Sequence, residues 1–268
     1  MSLSLHVLNN NHASGGVILY EGPSQLDGAP IVCIATLKTS NTKTGPMIQT
    51  WILRSDVNPV EAVKTEQDAS VCGDCRHRGT GNGKDRSCYV NIGQAPLNIY
   101  KTFKKGKYSK LVDFSWLDGR YLRVGSYGEP TAVPYDLWDT LTKKSAGYTG
   151  YTHTWKKCDV LFRNILMASV DSKDEYLLAR EMGWRTFRTF INDDVLFDKE
   201  FICPASELAG YRLTCSQCRA CTGTKWGKLE NAATVAIVAH GAPSKLSAYK
   251  KVTLLERMTD TLSLTATV

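Results

Sequence analysis

Seven of the chain's nine cysteines fall into two groups with the spacing of metal ligands. Cys72, Cys75 and Cys88 lie in VCGDCRHRGTGNGKDRSCYVN, and Cys203, Cys215, Cys218 and Cys221 lie in FICPASELAGYRLTCSQCRACTG. An odd total cannot pair entirely as disulfides, and in a reducing compartment clustered thiols bind metal more often than one another. In the first group the CxxC pair can grip one centre from a tight turn, with the third thiol returning after a flexible loop. Zinc needs a fourth ligand, for which His77 is nearest. A cubane iron–sulfur cluster needs none, because three thiolates leave one iron open to an exogenous ligand. Flanked by Arg76 and Arg78, His77 otherwise reads as a surface residue.

The second group has four thiols and can close either kind of site. Zinc ribbons generally use two separated CxxC pairs, whereas here a single cysteine precedes a CxxCxxC run. Thiolates at steps of three reach three corners of one cuboid cluster, and a distant cysteine followed by proline, Cys203 with Pro204, supplies the fourth as in ferredoxin-type runs. The reading favoured at both groups is iron–sulfur, two [4Fe-4S] clusters, with zinc the alternative. Cys33, in IVCIATL, reads as a small core residue. The role of Cys158, in WKKCDV, stays open, including as the missing ligand of the first group.

Positioning these groups takes a fold of some size. With 268 residues, 43% hydrophobic and 22% charged, the chain can bury a large core in one unit. No run approaches the roughly 18 apolar residues of a membrane span. The start, MSLSLHVLNNNHASGG, lacks the charged and apolar regions of a signal peptide, so the reading is a cytoplasmic protein. GGVILYEG, APIVCIATLK and PMIQTWILR read as strands, giving a β-rich N-terminal segment over residues 1–55. VNPVEAVKTEQ reads as a short helix, and another begins near Ala95 with Pro96 in its first turn. From Gly119 strands and helices alternate: RYLRVGSY, GYTGYTHTW, RNILMASV, WRTFRTF and ATVAIVAHG as strands, VPYDLWDTLTKKS and SKDEYLLAREMG as helices. Ser172 and Glu175 form a capping box for the last of these, and Gly183 sits where a terminating glycine belongs.

That alternation implies parallel pairing. The expected fold is α/β, a partial or irregular parallel (β/α) barrel over residues 56–268, with a cysteine-rich loop toward its C-terminal end. Chemistry in such folds sits at the carboxyl ends of the strands. This singles out residues 126–130, 153–155, 169–172, 188–192 and His240. His153 and His240, each at a strand end, read as ligands or bases, or as structural histidines.

The net charge of +7 is uneven. YKTFKKGKYSK holds Lys101, Lys104, Lys105, Lys107 and Lys110 interleaved with Tyr100, Phe103 and Tyr108. Such a stretch can follow a phosphate backbone and stack on bases, or it can be a solvated helix face with its aromatics turned inward.

Three features in order resemble the radical S-adenosylmethionine enzymes. The three-cysteine loop after a first strand, VCGDC to Cys88, is similar to that family's [4Fe-4S] loop, although the family's usual spacing is CxxxCxxC. VGSYGEPTAVP resembles its GGEP-type motif through Gly128, Glu129 and Pro130, which implies binding of the cofactor's amino group. MASVDS resembles its ribose-contacting segment through Ser169 and Asp171. The four-cysteine run then resembles an auxiliary-cluster extension. The stretches KTGPMIQTWILR, VCGDC, CYVNIGQAP, GWRTFR and CPAS are also similar to uncharacterised proteins of tailed bacteriophages, which implies a host-cytoplasm setting and no activity.

The leading expectation is therefore an iron–sulfur enzyme of the radical S-adenosylmethionine kind, acting on a nucleotide or nucleic acid and served by an electron donor. The alternative is a metal-stapled nucleic-acid-binding or accessory phage protein without catalysis.

Overall fold

The computed structural model describes residues 15–81, 83, 85–191, 195–224 and 232–253. Residues 1–14, on which the reading of the N-terminus rests, and Asn192 lie outside the described residues. The chain opens with β1 (Gly16–Pro23), β2 (Pro30–Thr36) and β3 (Ile48–Arg54), paired antiparallel in sequence order. These are the three β-branched stretches of the N-terminal segment, cut by the turn over residues 24–29 and by residues 37–47.

After β3 come α1 (Pro59–Lys64), α2 (Ala69–Cys72), α3 (Ala95–Lys104) and the two-residue strand β4 (Ser109–Lys110). Asn58 starts α1 by accepting the amides of Val60 and Glu61, with Pro59 in the first turn. Then follow β5 (Tyr121–Tyr127), α4 (Tyr135–Lys144), β6 (Gly147–Thr152), β7 (Met167–Val170), α5 (Lys173–Glu181) and β8 (Thr186–Phe190). The last elements with full bounds are β9 (Glu200–Ile202), α6 (Cys215–Cys218) and β10 (Thr234–Val238). Residues 243–253 are helical.

All ten strands join one sheet in the order β4-β1-β2-β3-β5-β6-β7-β8-β10-β9. From β3 through β5, β6, β7, β8 and β10 to β9 every neighbouring pair is parallel. The fold is thus α/β with a mostly parallel sheet. The parallel run puts the carboxyl ends of β3, β5, β6, β7, β8, β10 and β9 on one edge, and both cysteine groups lie in connections leaving that edge.

Burial follows the sequence texture. Ile31 to Ala35 on β2 and Val235 to Ile237 on β10 are all but inaccessible, as apolar runs buried on both faces should be. The N-terminal strands share their core with Leu122, Val124, Leu166, Val170 and the fully buried Trp138 and Trp184, so residues 15–55 pack into the same core as the rest. RNILMASV is less extended than expected. Asp159 accepts the Leu161 amide and captures residues 160–164 as a 3-10 turn, leaving the strand to begin at Met167. On α5, Ser172 accepts the Glu175 amide as expected, but Glu175 returns its carboxylate to the Asp171 amide at 3.0 Å instead of to Ser172. Arg76 and Lys156, each 2.6 Å from Glu175 Oε1, draw it aside. No described helix is long and apolar enough to cross a membrane.

Candidate functional site

The first cysteine group is built on two backbone devices. Gly73 has φ 58° and ψ −138°, and the Cys75 amide donates to the Cys72 carbonyl, so the CxxC sits on a tight turn that needs a glycine at its second position. The loop from His77 to Cys88 then closes on itself, because the Cys88 amide donates to the His77 carbonyl at 2.9 Å. Twelve intervening residues therefore separate Cys75 from Cys88 in sequence without separating them in space. Burial pushes the Cys72 thiol well above its usual 9.0, and the nearby Asp68, Cys75 and Cys88 push it further. Arg86, buried behind this group, donates to the carbonyls of Cys88 and Val90.

Beside Cys75 stand Glu129 and His153. Their ligand atoms and the Cys75 sulfur all lie within 4.8 Å of one another. Gly128, at φ +83°, lets the end of β5 press against β3: a Cβ there would lie 2.7 Å from Ile52 Cβ. The Glu129 amide is consequently tied to the Val71 carbonyl at 2.6 Å. Its buried carboxylate accepts the Thr152 hydroxyl, the His153 amide and, at 2.8 Å, His153 Nδ1. Burial works against a charge on the His153 ring, but Cys75 and Glu129 outweigh it and hold its pKa well above 6.5.

His77 is neither a surface residue nor an idle ligand. It is buried, with Nε2 2.8 Å from Asp171 Oδ2 and Nδ1 2.8 Å from Ser87 Oγ. Its ring stacks on Tyr249, whose hydroxyl lies 2.8 Å from the Thr189 carbonyl and 3.1 Å from Asp171 Oδ1 and shares its one proton between them. Burial alone would raise the Asp171 carboxyl, but His77, His153 and Arg76 hold it at about 2. Asp171 is thus spent on protein partners. Ser169, also buried, lends its carbonyl to the Trp155 indole.

The second group is assembled from four elements. Cys203 follows β9 and its amide donates to Ala236 of β10. Cys215 and Cys218 open and close α6, where Thr214 donates its amide to the Gln217 side chain. Arg219, in the left-handed region at φ 51°, turns the chain back, and the Cys221 carbonyl takes the Gly150 amide of β6 at 2.8 Å. The Cys215 amide donates to Lys43, which anchors α6 to the loop before β3. Burial raises the Cys221 thiol, and Cys203, Cys215 and Cys218 add to it, which places all four thiols in one neighbourhood. Arg123 of β5 opposes that rise. Sequence reasoning missed Arg123; its signal was an arginine in the middle of an otherwise core-like strand.

The two groups face one cavity of about 430 Å³. Cys75 and Cys88 line one part of its wall and Cys203, Cys215 and Cys221 another, with His77, His153, Ser169 and His240 between them. Gly128, Glu129, Asp171, Cys72 and Cys218 stand off that wall. A smaller cavity of about 130 Å³ beside it is lined by Cys75, His153, Ser169 and Asp171. Cys158 lies near Glu129, which together with burial pushes its thiol up to about 12, and none of the other cysteines figures among its charged neighbours. His240 accepts from Lys43 Nζ at Nε2, 3.2 Å away, and donates from Nδ1 to the Val238 carbonyl.

Lys101, Lys104, Lys105, Lys107 and Lys110 are all exposed, and none lines either cavity. Tyr100 belongs to the core, and Phe103 and Tyr108 pack against it. This segment is a charged face whose aromatics turn inward.

The donor chemistry fits clustered metal. Seven thiols gather in two neighbourhoods, burial raises those of Cys72, Cys203 and Cys221, and Arg86 and Arg123 stand beside the groups, a set that a metal ion would relieve. Tetrahedral zinc bound at about 2.3 Å holds its sulfurs about 3.8 Å apart. Among the described residues no three cysteines bring their sulfurs within 4.8 Å of one another. The fold and site together define an α/β protein with a cysteine-walled cavity at the carboxyl edge of a parallel sheet. No protein family, no curated protein and no solved structure matches the chain.

Proposed function

We propose that the chain is an iron–sulfur enzyme of the radical S-adenosylmethionine kind that acts on a nucleotide or nucleic acid. The observation that carries this reading is that a three-thiol group and a four-thiol group open on the same cavity at the carboxyl edge of parallel strands. We read the sheet as curling into a partial barrel. In a flat sheet β3 and β10 would lie about 24 Å apart, yet Gln49 and Trp51 of β3 and Ile237 of β10 line one cavity of about 430 Å³.

A low-potential cluster with an open iron supplies the electron that splits a sulfonium bond. The chain's own residues do the positioning. Cys72, Cys75 and Cys88 hold the open group, and Cys203, Cys215, Cys218 and Cys221 the closed one. Glu129 meets the cofactor through His153, which it orients by the Nδ1 hydrogen bond, and Ser169 presents to the cofactor from the neighbouring strand. Asp171 acts one step back by fixing His77. An electron donor and a reducing compartment are required, the host cytoplasm for a phage-encoded protein.

Reduced, anaerobically reconstituted protein incubated with S-adenosylmethionine tests the reading. 5′-Deoxyadenosine should form, and Cys75→Ala should abolish it. No product from protein that carries its full iron would overturn it. The Cys75, Glu129 and His153 spacing favours a second reading, a mononuclear zinc ion in a nucleic-acid-binding protein, for which the same preparation would be colourless with stoichiometric zinc.

A further inference from the structure

Among the described residues the cavity wall contains no aspartate or glutamate. It holds three cations, Lys43, Arg123 and Lys245, together with His77, His153 and His240. Apart from the cysteine thiols, no acidic side chain described there answers its lysines and arginine, and a wall so biased recruits anions. The three cations are not equivalent. Lys245 donates to the Arg86 carbonyl, and Lys43 to His240. Arg123 makes a single hydrogen bond among the described residues, to Tyr151 Oη at 2.9 Å, with its guanidinium 5.3 Å from the Tyr151 ring centre. A guanidinium carries five N–H donors, so most of its fork stays open. Arg86, behind the first cysteine group, differs on both counts: it bonds two carbonyls and does not line the cavity.

A second observation lies beside it. Thr149 of β6 is the register partner of Arg123 on β5, so the two side chains share one face of the sheet. Thr149 is 2% exposed, lines the cavity, and its hydroxyl has no hydrogen-bond partner. A buried hydroxyl left in that state costs stability unless a ligand uses it. Lys43 lines the same cavity from the loop before β3. Around them Trp51, Tyr89 and Phe187 line the cavity with flat apolar surface. Tyr89 is half exposed and its hydroxyl lies 3.2 Å from that of Tyr151.

We propose that Arg123, Thr149 and Lys43 form a phosphate subsite, and that the cavity takes one nucleoside phosphate with its base against the aromatic wall. Arg123 supplies the planar fork that suits a phosphate, Lys43 a point charge, and Thr149 a hydroxyl donor. The aromatic rings offer stacking that tolerates any base. The volume excludes a duplex. S-Adenosylmethionine does not fill this role, because it carries no phosphate and its carboxylate belongs at the three-thiol group. The subsite deepens the proposed function by naming the substrate class, but it stands on the cavity alone.

The test is titration calorimetry on anaerobically purified protein of measured iron content, using the nucleoside 5′-monophosphates, the parent nucleosides and a 5′-phosphorylated trinucleotide. At least one monophosphate should bind about tenfold or more tightly than its nucleoside, and Arg123→Gln and Lys43→Gln should each remove most of that difference. Thr149→Val, which removes a hydroxyl without a partner, should weaken the phosphate form several-fold and leave the thermal midpoint unchanged or higher. Tight binding of the trinucleotide alone would support the phosphate site with a strand end as its source. Equal binding of phosphate and nucleoside would overturn the proposal. So would loss of iron in Arg123→Gln with unchanged phosphate preference in Lys43→Gln and Thr149→Val, which would make Arg123 a counter-ion of the second cysteine group. Deoxyadenosine formation is measured on the same samples, so phosphate binding without cofactor cleavage counts against the proposed reaction only.

Discussion

At the scale of single residues, the candidate ligand types were legible and their partners were not. The cysteines announced themselves by spacing, and Glu129 and His153 by their places after strands. That His77 would reach Asp171, 94 positions away, could not be read, because such a pair depends on how a loop closes and on the register of β7. The pair has a consequence in acid. Asp171 is held at about 2, below its ordinary 3.8, so the stability it contributes is present above about pH 4 and is lost as the pH falls toward 2. Unfolding followed between pH 5 and 2 should show this loss, and Asp171→Asn should have a flatter profile across that window, lying below wild type at pH 5. A parallel loss in both proteins would assign it elsewhere. Arg188 and Glu200 carry a larger effect. Their two hydrogen bonds, 2.8 and 2.7 Å, are closed to solvent at 1% and 0% side-chain exposure. Arg188→Met strands the carboxylate and should cost about 3–5 kcal/mol in chemical denaturation, most of which Arg188→Met with Glu200→Met should restore. Equal loss in single and double variants would mean that packing, not charge, is at stake.

At the scale of elements, local signals decided what could be read. Long alternating or apolar strands and the capped helices α1 and α5 declared themselves through Asn58, Pro59 and Ser172. The short pieces β4, β9, α2 and α6 carry too few residues for a period, and they exist because tertiary neighbours bind their backbone. RNILMASV was half misread because Asp159 competes for the backbone ahead of it. Gly128 shows an element end set by packing. Gly128→Ala would face a left-handed backbone and the 2.7 Å approach of Ile52 together, for about 2–4 kcal/mol. The β5 end would then move and carry Glu129 with it. A lower melting temperature accompanied by reduced iron at the first group is the expected result, and a normal melting temperature would show that the strand end yields freely.

At the scale of the whole molecule, the α/β class and the parallel run were legible from alternation alone, and so was the rule that the strands' carboxyl ends carry the site. The convergence of the two cysteine groups on one cavity was not, because more than a hundred residues separate them and only the sheet order joins them. That convergence also gives the groups different standing. The four-thiol group is closed by its own residues, and the three-thiol group has Glu129 and His153 waiting beside it. Losing Cys88 should therefore empty the first group and spare the second: Cys88→Ala should retain about half the iron of the parent chain. Loss of all iron would make the two groups one folding unit. The most direct test of the central claim is the metal and acid-labile sulfide content of protein purified without oxygen. Two cubane clusters predict a brown protein with about eight irons and eight sulfides per chain and negligible zinc. A colourless protein holding stoichiometric zinc and no labile sulfide would contradict it.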